Sequence, residues 1–290
     1  MTPNGEVILV TGATGNVGRE VVHALRARNL PVRAADRDPG RARALLGGDI
    51  DAVRLDFRDP ATFAVVDGAR SVFLLRPPAI ADVKKTLVPF LEEARRRGVG
   101  HVVFLSVAGA DKNRLVPHHA VEQHLARAGG WTVLRPGFFA QNLGDAYRRD
   151  IVEDGRLYVP AGGGRAAFVD VRDVAEVAAA IFASPAEHER RGYTLTGPEA
   201  IGFAAAASCL SEALGRPIYY EPASMLGYVR HLHGRGMPWA QVAVQAVLHA
   251  GIRFGQAARV DQTLERLLGR PPRTLRDYVN DHRATWAVAA

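Results

Sequence analysis

The first half of the chain alternates short apolar runs with longer amphipathic stretches. Val7-Ile8-Leu9-Val10 and Val102-Val103-Phe104-Leu105 are apolar throughout, as strands buried on both faces of a parallel sheet must be. Between such runs apolar residues recur at helical spacing. The pattern predicts strands over 6–11, 31–36, 51–56, 71–75, 101–106 and 131–135. It predicts helices over 17–29, 39–46, 60–66, 83–97 and 117–128. Alternation of this kind argues for a parallel sheet covered by helices on both faces. After about residue 137 the rhythm changes. Residues 155–160 and 166–171 read as short strands around Gly162-Gly163-Gly164, followed by a helix over 173–182 and a strand over 193–196. From Ser224 onward the pattern is mostly helical, with breaks at Gly234, Gly236-Met237-Pro238 and Gly269-Arg270-Pro271-Pro272.

The first predicted strand runs straight into Thr11-Gly12-Ala13-Thr14-Gly15-Asn16-Val17-Gly18, which opens the first predicted helix. Glycines at 12, 15 and 18 in that context are a dinucleotide-binding turn. Gly12 permits the tight turn, and Gly15 lets the backbone approach a pyrophosphate. The pyrophosphate's charge meets free N–H groups at the helix start. Gly18 lets the helix lie close to the sheet. These features predict an α/β protein built on a doubly wound parallel sheet of the Rossmann type. That domain is expected over 1–150, with 166–185 joining it. The remaining segments of 151–290 are expected to form a smaller, partly helical lobe that binds substrate. Asp36 ends the second strand, near the offset at which an acid takes ribose hydroxyls. Arg37 follows at once. The carboxylate favours NAD, the guanidinium favours the 2′-phosphate of NADP, and the pair leaves both open. Asp56 either lies near the adenine or only caps the next turn. Leu75 and the loop Arg76-Pro77-Pro78, after the fourth strand, are expected along the cofactor.

Composition narrows the setting. The chain has 290 residues, 48% of them hydrophobic, enough for one large domain or two interlocked lobes. No apolar stretch approaches the roughly 20 residues that span a bilayer. Met1-Thr2-Pro3-Asn4-Gly5-Glu6 lacks the basic start and apolar run of a signal peptide. The single cysteine, Cys209, excludes an internal disulfide and reads as a packed thiol on a buried helix face. A reducing, cytoplasmic protein is the expectation, with no membrane partner. The net charge of +7 is dispersed. Its densest run, Arg95-Arg96-Arg97, ends a helix, where cations offset the dipole. No zinc-finger spacing or RNA-binding signature is present, so no nucleic-acid partner is expected.

At several stretches together the chain resembles the NmrA-like branch of the atypical short-chain dehydrogenase/reductases. They are 11–18, 32–39 (Val-Arg-Ala-Ala-Asp-Arg-Asp-Pro), 104–110, 118–122, 134–142 (Leu-Arg-Pro-Gly-Phe-Phe-Ala-Gln-Asn) and 168–174 (Phe-Val-Asp-Val-Arg-Asp-Val). Residues 192–197 also look like the family's late strand. The resemblance is strong to about residue 220 and looser beyond. It implies an NAD(P)-dependent fold shared by quinone reductases, imine-reducing enzymes and redox sensors, and it tips the cofactor toward NADP(H), with NAD(H) left open by Asp36. It also implies that 136–142 border the nicotinamide and substrate: Pro136 on the cofactor, Phe138, Phe139 and Asn142 on the substrate. Core packing is the competing reading of the two phenylalanines. Asn142, a polar side chain among Phe139, Ala140 and Leu143, needs a partner.

The resemblance makes one departure informative. Typical short-chain dehydrogenases carry Ser, then Tyr-x-x-x-Lys, with a glutamate four residues after the lysine. Ser106 matches the serine and Glu122 the glutamate, but His118 stands in the lysine slot and Arg114 in the tyrosine slot. The usual proton donor is missing. Ser106 and His118 are the candidate catalytic pair. His118 either hydrogen-bonds the nicotinamide ribose or relays a proton, or it only pairs with Glu122 one helical turn away. No metal site is expected, because His118, Glu122 and His124 lack a further ligand at sensible spacing. His231 and His233 read as surface or core positions. The expected function is an NAD(P)H-dependent reductase of a small conjugated acceptor (quinone, enone or imine), working as a monomer or homodimer. The alternatives are a non-catalytic dinucleotide sensor and a non-redox isomerase or cyclase.

Overall fold

In the computed structural model the described residues are 7–287; Glu6 and the rest of the N-terminal stretch read above lie outside them. Two units divide the chain. One comprises the residues up to Pro136 together with Val171–Leu195; the other comprises Gly137–Asp170 and the residues from Thr196 on.

The first unit is a sheet of seven parallel strands. β1 (Val7–Thr11), α1 (Asn16–Ala27), β2 (Val32–Asp36), α2 (Pro39–Leu46), β3 (Asp51–Arg54), β4 (Ala69–Leu75), α3 (Leu87–Arg96), β5 (His101–Leu105), α4 (Pro117–Arg127) and β6 (Trp131–Pro136) follow in chain order. After the excursion to the second unit come α6 (Val171–Ala183) and β11 (Arg191–Leu195). Strand order is β11-β6-β5-β4-β1-β2-β3. The direction of winding reverses between β1 and β4, which opens a crevice at their carboxyl ends. Helix α1 buries Val17, Val21, Val22 and Leu25, a stripe one helical face wide, and packs on α6. On the same unit Phe90 of α3 takes Phe57 and Phe63 edge-on, at 5.1 and 5.4 Å between ring centroids.

Several boundaries differ from those the pattern suggests, each for a local reason. Helix α3 starts at Leu87, not 83, because Pro89 has no N–H to give Lys85 and so must stand in the first turn. Residues Pro60–Val66 form a 3-10 helix, and β3 stops at Arg54. Cys209 is only half-buried. The buried face of its helix carries Phe203, Ala206, Ala207 and Leu210, and position 209 falls beside that stripe.

The second unit holds short strands and most of the later helices: β7 (Phe138–Phe139), α5 (Arg148–Glu153), β8 (Arg156–Val159), β9 (Arg165–Ala166), β10 (Phe168–Val169), β12 (Ile201–Gly202), α7 (Phe203–Leu214), β13 (Tyr219–Pro222), α8 (Met225–Gly234), α9 (Trp239–Arg253), α10 (Thr263–Leu268) and α11 (Leu275–Asp281). The strands pair as β10-β7, β12-β9 and β13-β8. Where one strand over 166–171 is the sequence reading, β9 and β10 are separate and pair with different partners. The core is aromatic: Phe138, Phe168 and Phe203 stack edge to face, and Trp286 donates its indole N–H to the Leu143 carbonyl at 2.9 Å. Among the described residues no helix is long and apolar enough to cross a membrane.

The turn after β1 generates a stability prediction. A Cβ on Gly18 would sit 2.2 Å from the Gly12 carbonyl oxygen and 2.9 Å from the Ala13 Cα. Both are backbone, so the strain cannot be relieved by turning a side chain. A Cβ on Gly15 meets nothing nearer than 3.3 Å, at an ordinary φ of −78°. Gly18→Ala is therefore expected to lower unfolding free energy by about 3 kcal/mol or more, at the top of the overpacking range. Gly15→Ala should stay within about 1 kcal/mol of the parent. Denaturant titration of both reads the difference; equal stabilities would contradict it.

Candidate active site

The crevice at the β1/β4 reversal is lined from the ends of β1, β2, β4, β5 and β6. On β1, Thr11 is fully buried, and its hydroxyl accepts the Leu75 backbone N–H at 2.9 Å. It ties β1 to β4 and holds Leu75 against Gly12, where a Cβ would be 2.8 Å from the leucine side chain. Gly12 adopts φ +61°, which a residue with a side chain reaches only under strain. Gly15 is the N-cap of α1; no side chain caps that helix and no acid stands in its first turn. An exposed, side-chain-free Gly15 and an uncapped helix start leave room and N–H donors for an anion. The residues thus fit a dinucleotide's diphosphate. What crowds Gly18 is the turn's own backbone at Gly12 and Ala13. Val17 is buried, and Asn16 is half-buried at the same turn.

Asp36, at the end of β2, is turned toward that loop. Its carboxylate accepts the Thr14 hydroxyl at 2.7 Å, the Thr14 N–H at 3.4 Å and the Asp38 N–H at 3.2 Å. Arg37 is exposed and takes no hydrogen bond or ion pair among the described residues. Asp56 accepts the Arg58 N–H at 2.9 Å, so it caps its own turn.

Two side-chain clusters shape the far edge. Ser106, 2% exposed, donates its hydroxyl to Glu122 at 2.5 Å. Arg135 brings its guanidinium onto the same carboxylate at 2.7 Å. Gly192 on β11 makes space for it, since a Cβ there would lie 2.7 Å from that guanidinium. Glu122 is thereby committed to β5 and β6, and His118 does not pair with it. His118 instead accepts the Arg76 Nε–H on its Nε2 at 3.2 Å. An arginine can only donate, so the ring's own proton sits on Nδ1. Burial, with the Arg76 cation beside it, holds the His118 imidazole down at about 4. Arg114 is exposed. Pro136 is buried and its carbonyl accepts the Ala108 N–H at 2.9 Å.

In the second unit Phe138 is 5% exposed and belongs to the aromatic core, which is the packing reading of that residue. Phe139 and Asn142 are half-buried, and the Asn142 side chain has no hydrogen bond among the described residues. Tyr147 donates its hydroxyl to His249 Nε2 at 2.5 Å, while His249 Nδ1 donates to the Gln245 carbonyl at 2.7 Å. Burial raises Tyr147 and Tyr228 far above the usual phenol range, so neither is a ready acid. Met225 and Trp239 are exposed, and Trp239 stacks on His233 at 4.2 Å. His231 bonds Asp150 at 2.9 Å. Among the described residues no group of three His, Cys, Asp or Glu side chains could hold a metal ion.

The sequence reading misses the partnerships more than the residues. Arg135 was legible as a charge ending a buried strand, which demands a counter-ion, and Glu122 was the acid available. Nothing local signals that Arg76 reaches His118, 42 residues away.

The NAD(P)H-binding family model matches residues 12–185 of the chain. The NAD(P)H azoreductase of Xenophilus azovorans is 33% identical over 289 residues, 98% of this chain and 100% of that protein. Among solved structures, the NADPH-dependent quinone oxidoreductase of Escherichia coli, complexed with NADPH, superposes with TM-score 0.83 at 27% identity, covering 94% of this chain and 99% of that one. The triphenylmethane reductase of a Citrobacter species shares the fold, with TM-score 0.83 at 24% identity over 95% of this chain and 98% of that one.

The state of His118 has a pH signature. Its folded value lies near 4 and its ordinary value near 6.5, so between these the unfolded chain binds a proton that the folded one does not. Stability is full above about pH 6.5 and falls as pH drops toward 4. Ring NMR should place the His118 midpoint near 4. His118→Asn should flatten the stability loss between pH 6.5 and 4 without abolishing it, because burial also holds His101 and His249 at about 4. A midpoint near 6.5 would show that the ring is not held neutral.

Proposed function

The chain belongs to the NAD(P)H-binding family, and from that membership and the geometry of the crevice we propose that it is an NAD(P)H-dependent reductase of small conjugated acceptors such as quinones, azo compounds, enones and imines. The dinucleotide supplies a hydride when bound. Gly12, Gly15 and the start of α1 would hold its diphosphate, with Thr11, Thr14, Asn16, Val17 and Gly18 shaping the turn. Leu75, Arg76 and Pro136 would lie along the dinucleotide at the strand ends. The neutral His118 would offer its Nδ1–H to a ribose hydroxyl.

The observation that carries the acceptor class is that, among the described residues near His118 and Ser106, none is a free acid. Arg114 occupies the place of the tyrosine of typical short-chain dehydrogenases and is exposed. The Ser106 proton is given to Glu122. His118 is neutral well below physiological pH. Reducing an isolated ketone leaves an alkoxide that must be protonated as it forms. An iminium becomes a neutral amine instead, and a quinone spreads the charge over its ring until water protonates it. Ser106 then serves as the link that fixes Glu122 rather than as the proton source.

For the cofactor the reading favours NADP(H). The Asp36 carboxylate is directed at Thr14 and Asp38, which leaves the unpaired Arg37 to meet a 2′-phosphate.

Two measurements test these points. For a quinone and an isolated ketone of similar size, kcat/KM with NADPH should be larger for the quinone. Faster reduction of the ketone would sink the acceptor class, and tight binding of NADPH without oxidation by any acceptor would make the protein a sensor. Arg37→Ala should raise the Kd for NADPH about tenfold, the equivalent of about 1.4 kcal/mol, and leave NADH unchanged. Equal weakening of both would show that Arg37 does not meet the 2′-phosphate.

A further inference from the structure

Arg76 is a half-buried cation with no anion. Its Nε–H goes to a neutral imidazole, His118. Its Nη1 donates to the carbonyls of Pro77, Pro78 and Ile80, at 3.2, 3.4 and 2.5 Å. Among the described residues Nη2 donates to nothing and no carboxylate pairs with the guanidinium. Other part-buried arginines of the same unit are balanced. Arg135 has Glu122, Arg33 has Asp51, and Arg95, also held by carbonyls, feels the charge of Glu189. Withdrawing a guanidinium from water is unfavourable unless an opposite charge repays it. Burial accordingly lowers the affinity of Arg76 for its proton, with no charge acting the other way.

Its position says where the missing anion would come from. Leu75 pairs with Leu105 across β4 and β5, so Arg76 follows at the level of Ser106. On the other side, Leu75 lies against Gly12. The carbonyls of 77, 78 and 80 hold one edge of the fork and His118 holds the Nε, which leaves Nη2 as the open donor. A fork fixed on its other nitrogens is pre-organised for an oxygen pair of a carboxylate, sulfonate or phosphate.

We propose that Arg76 is an oxyanion-recognition site whose Nη2 edge binds either the diphosphate of the dinucleotide or an acidic substituent on the acceptor. The second source rests on the reductase reading; the first does not. The test uses Arg76→Gln, with circular dichroism to establish folding. Kd values for NADPH and NADP+ are taken by fluorescence titration, and KM is taken for a neutral naphthoquinone and for the same quinone bearing a sulfonate. If the diphosphate is the anion, both Kd values rise about tenfold and the KM ratio of the two quinones stays as in the parent. If the substituent is the anion, the Kd values hold and KM rises about tenfold for the sulfonated quinone alone. No change in any of these overturns the proposal and makes Arg76 a brace for its loop. Should the glutamine variant fail to fold, Arg76→Lys, which keeps the charge and loses the fork, is read in the same way. A Kd effect in a protein that leaves NADPH unoxidised with every acceptor tried would uphold the site while refuting the reductase reading.

Discussion

A carboxylate only 6% exposed must be matched or the fold would not tolerate it, and Glu122 is matched twice. Ser106, just past β5, and Arg135, on β6, both converge on it, so α4 is pinned against two strands at one point. That pin sets the rotation of α4 about its axis. His118, one turn earlier on the same helix, then faces Arg76 instead of its own helix neighbour, and Arg76 in turn gathers the carbonyls of the loop after β4. The polar edge of the crevice is a chain of consequences from one buried ion pair. The buried pair is no sign of extra stability in itself; its effect is to leave α4 a single arrangement.

The other edge is built differently, from backbone. Gly18 meets the Gly12 carbonyl so closely that the strand, turn and helix are one object, and Thr11 and Thr14 lash that object to β4 and β2. The two edges have opposite characters. The turn side presents N–H groups and no side-chain charge at the helix start, while the α4 side presents a guanidinium and a neutral ring. Among the described residues the carboxylates at these strand ends, Asp36 and Glu122, are engaged as hydrogen-bond acceptors, and no phenol stands beside them.

What could be read from the chain follows from range. β1 and β5 were plain because four consecutive apolar residues admit few other buried elements, and the glycines at 12, 15 and 18 were plain because each answers to a backbone need a few residues away. The start of α3 was readable in principle from Pro89. Asp36 was located but not oriented. Its partner Thr14 is 22 residues off, and only the fold brings β2 beside the turn. Helical spacing leaves a His118–Glu122 pair open, and the fold closes that option because Ser106 and Arg135, 16 and 13 residues from Glu122, take its carboxylate. The two-residue strands of the second unit carry no period long enough to detect, and β9 and β10 could not be separated by pattern alone.

The polypeptide passes between its two units three times, after residues 136, 170 and 195. No single cut frees either unit intact: a break at any one junction leaves a sheet without its last strand or an aromatic core without Phe138 and Phe168. Shuffling of a whole lobe between genes would need three coordinated exchanges in register. Lineages built on this plan are therefore free to diversify by substitution and loop change, but the architecture is inherited whole.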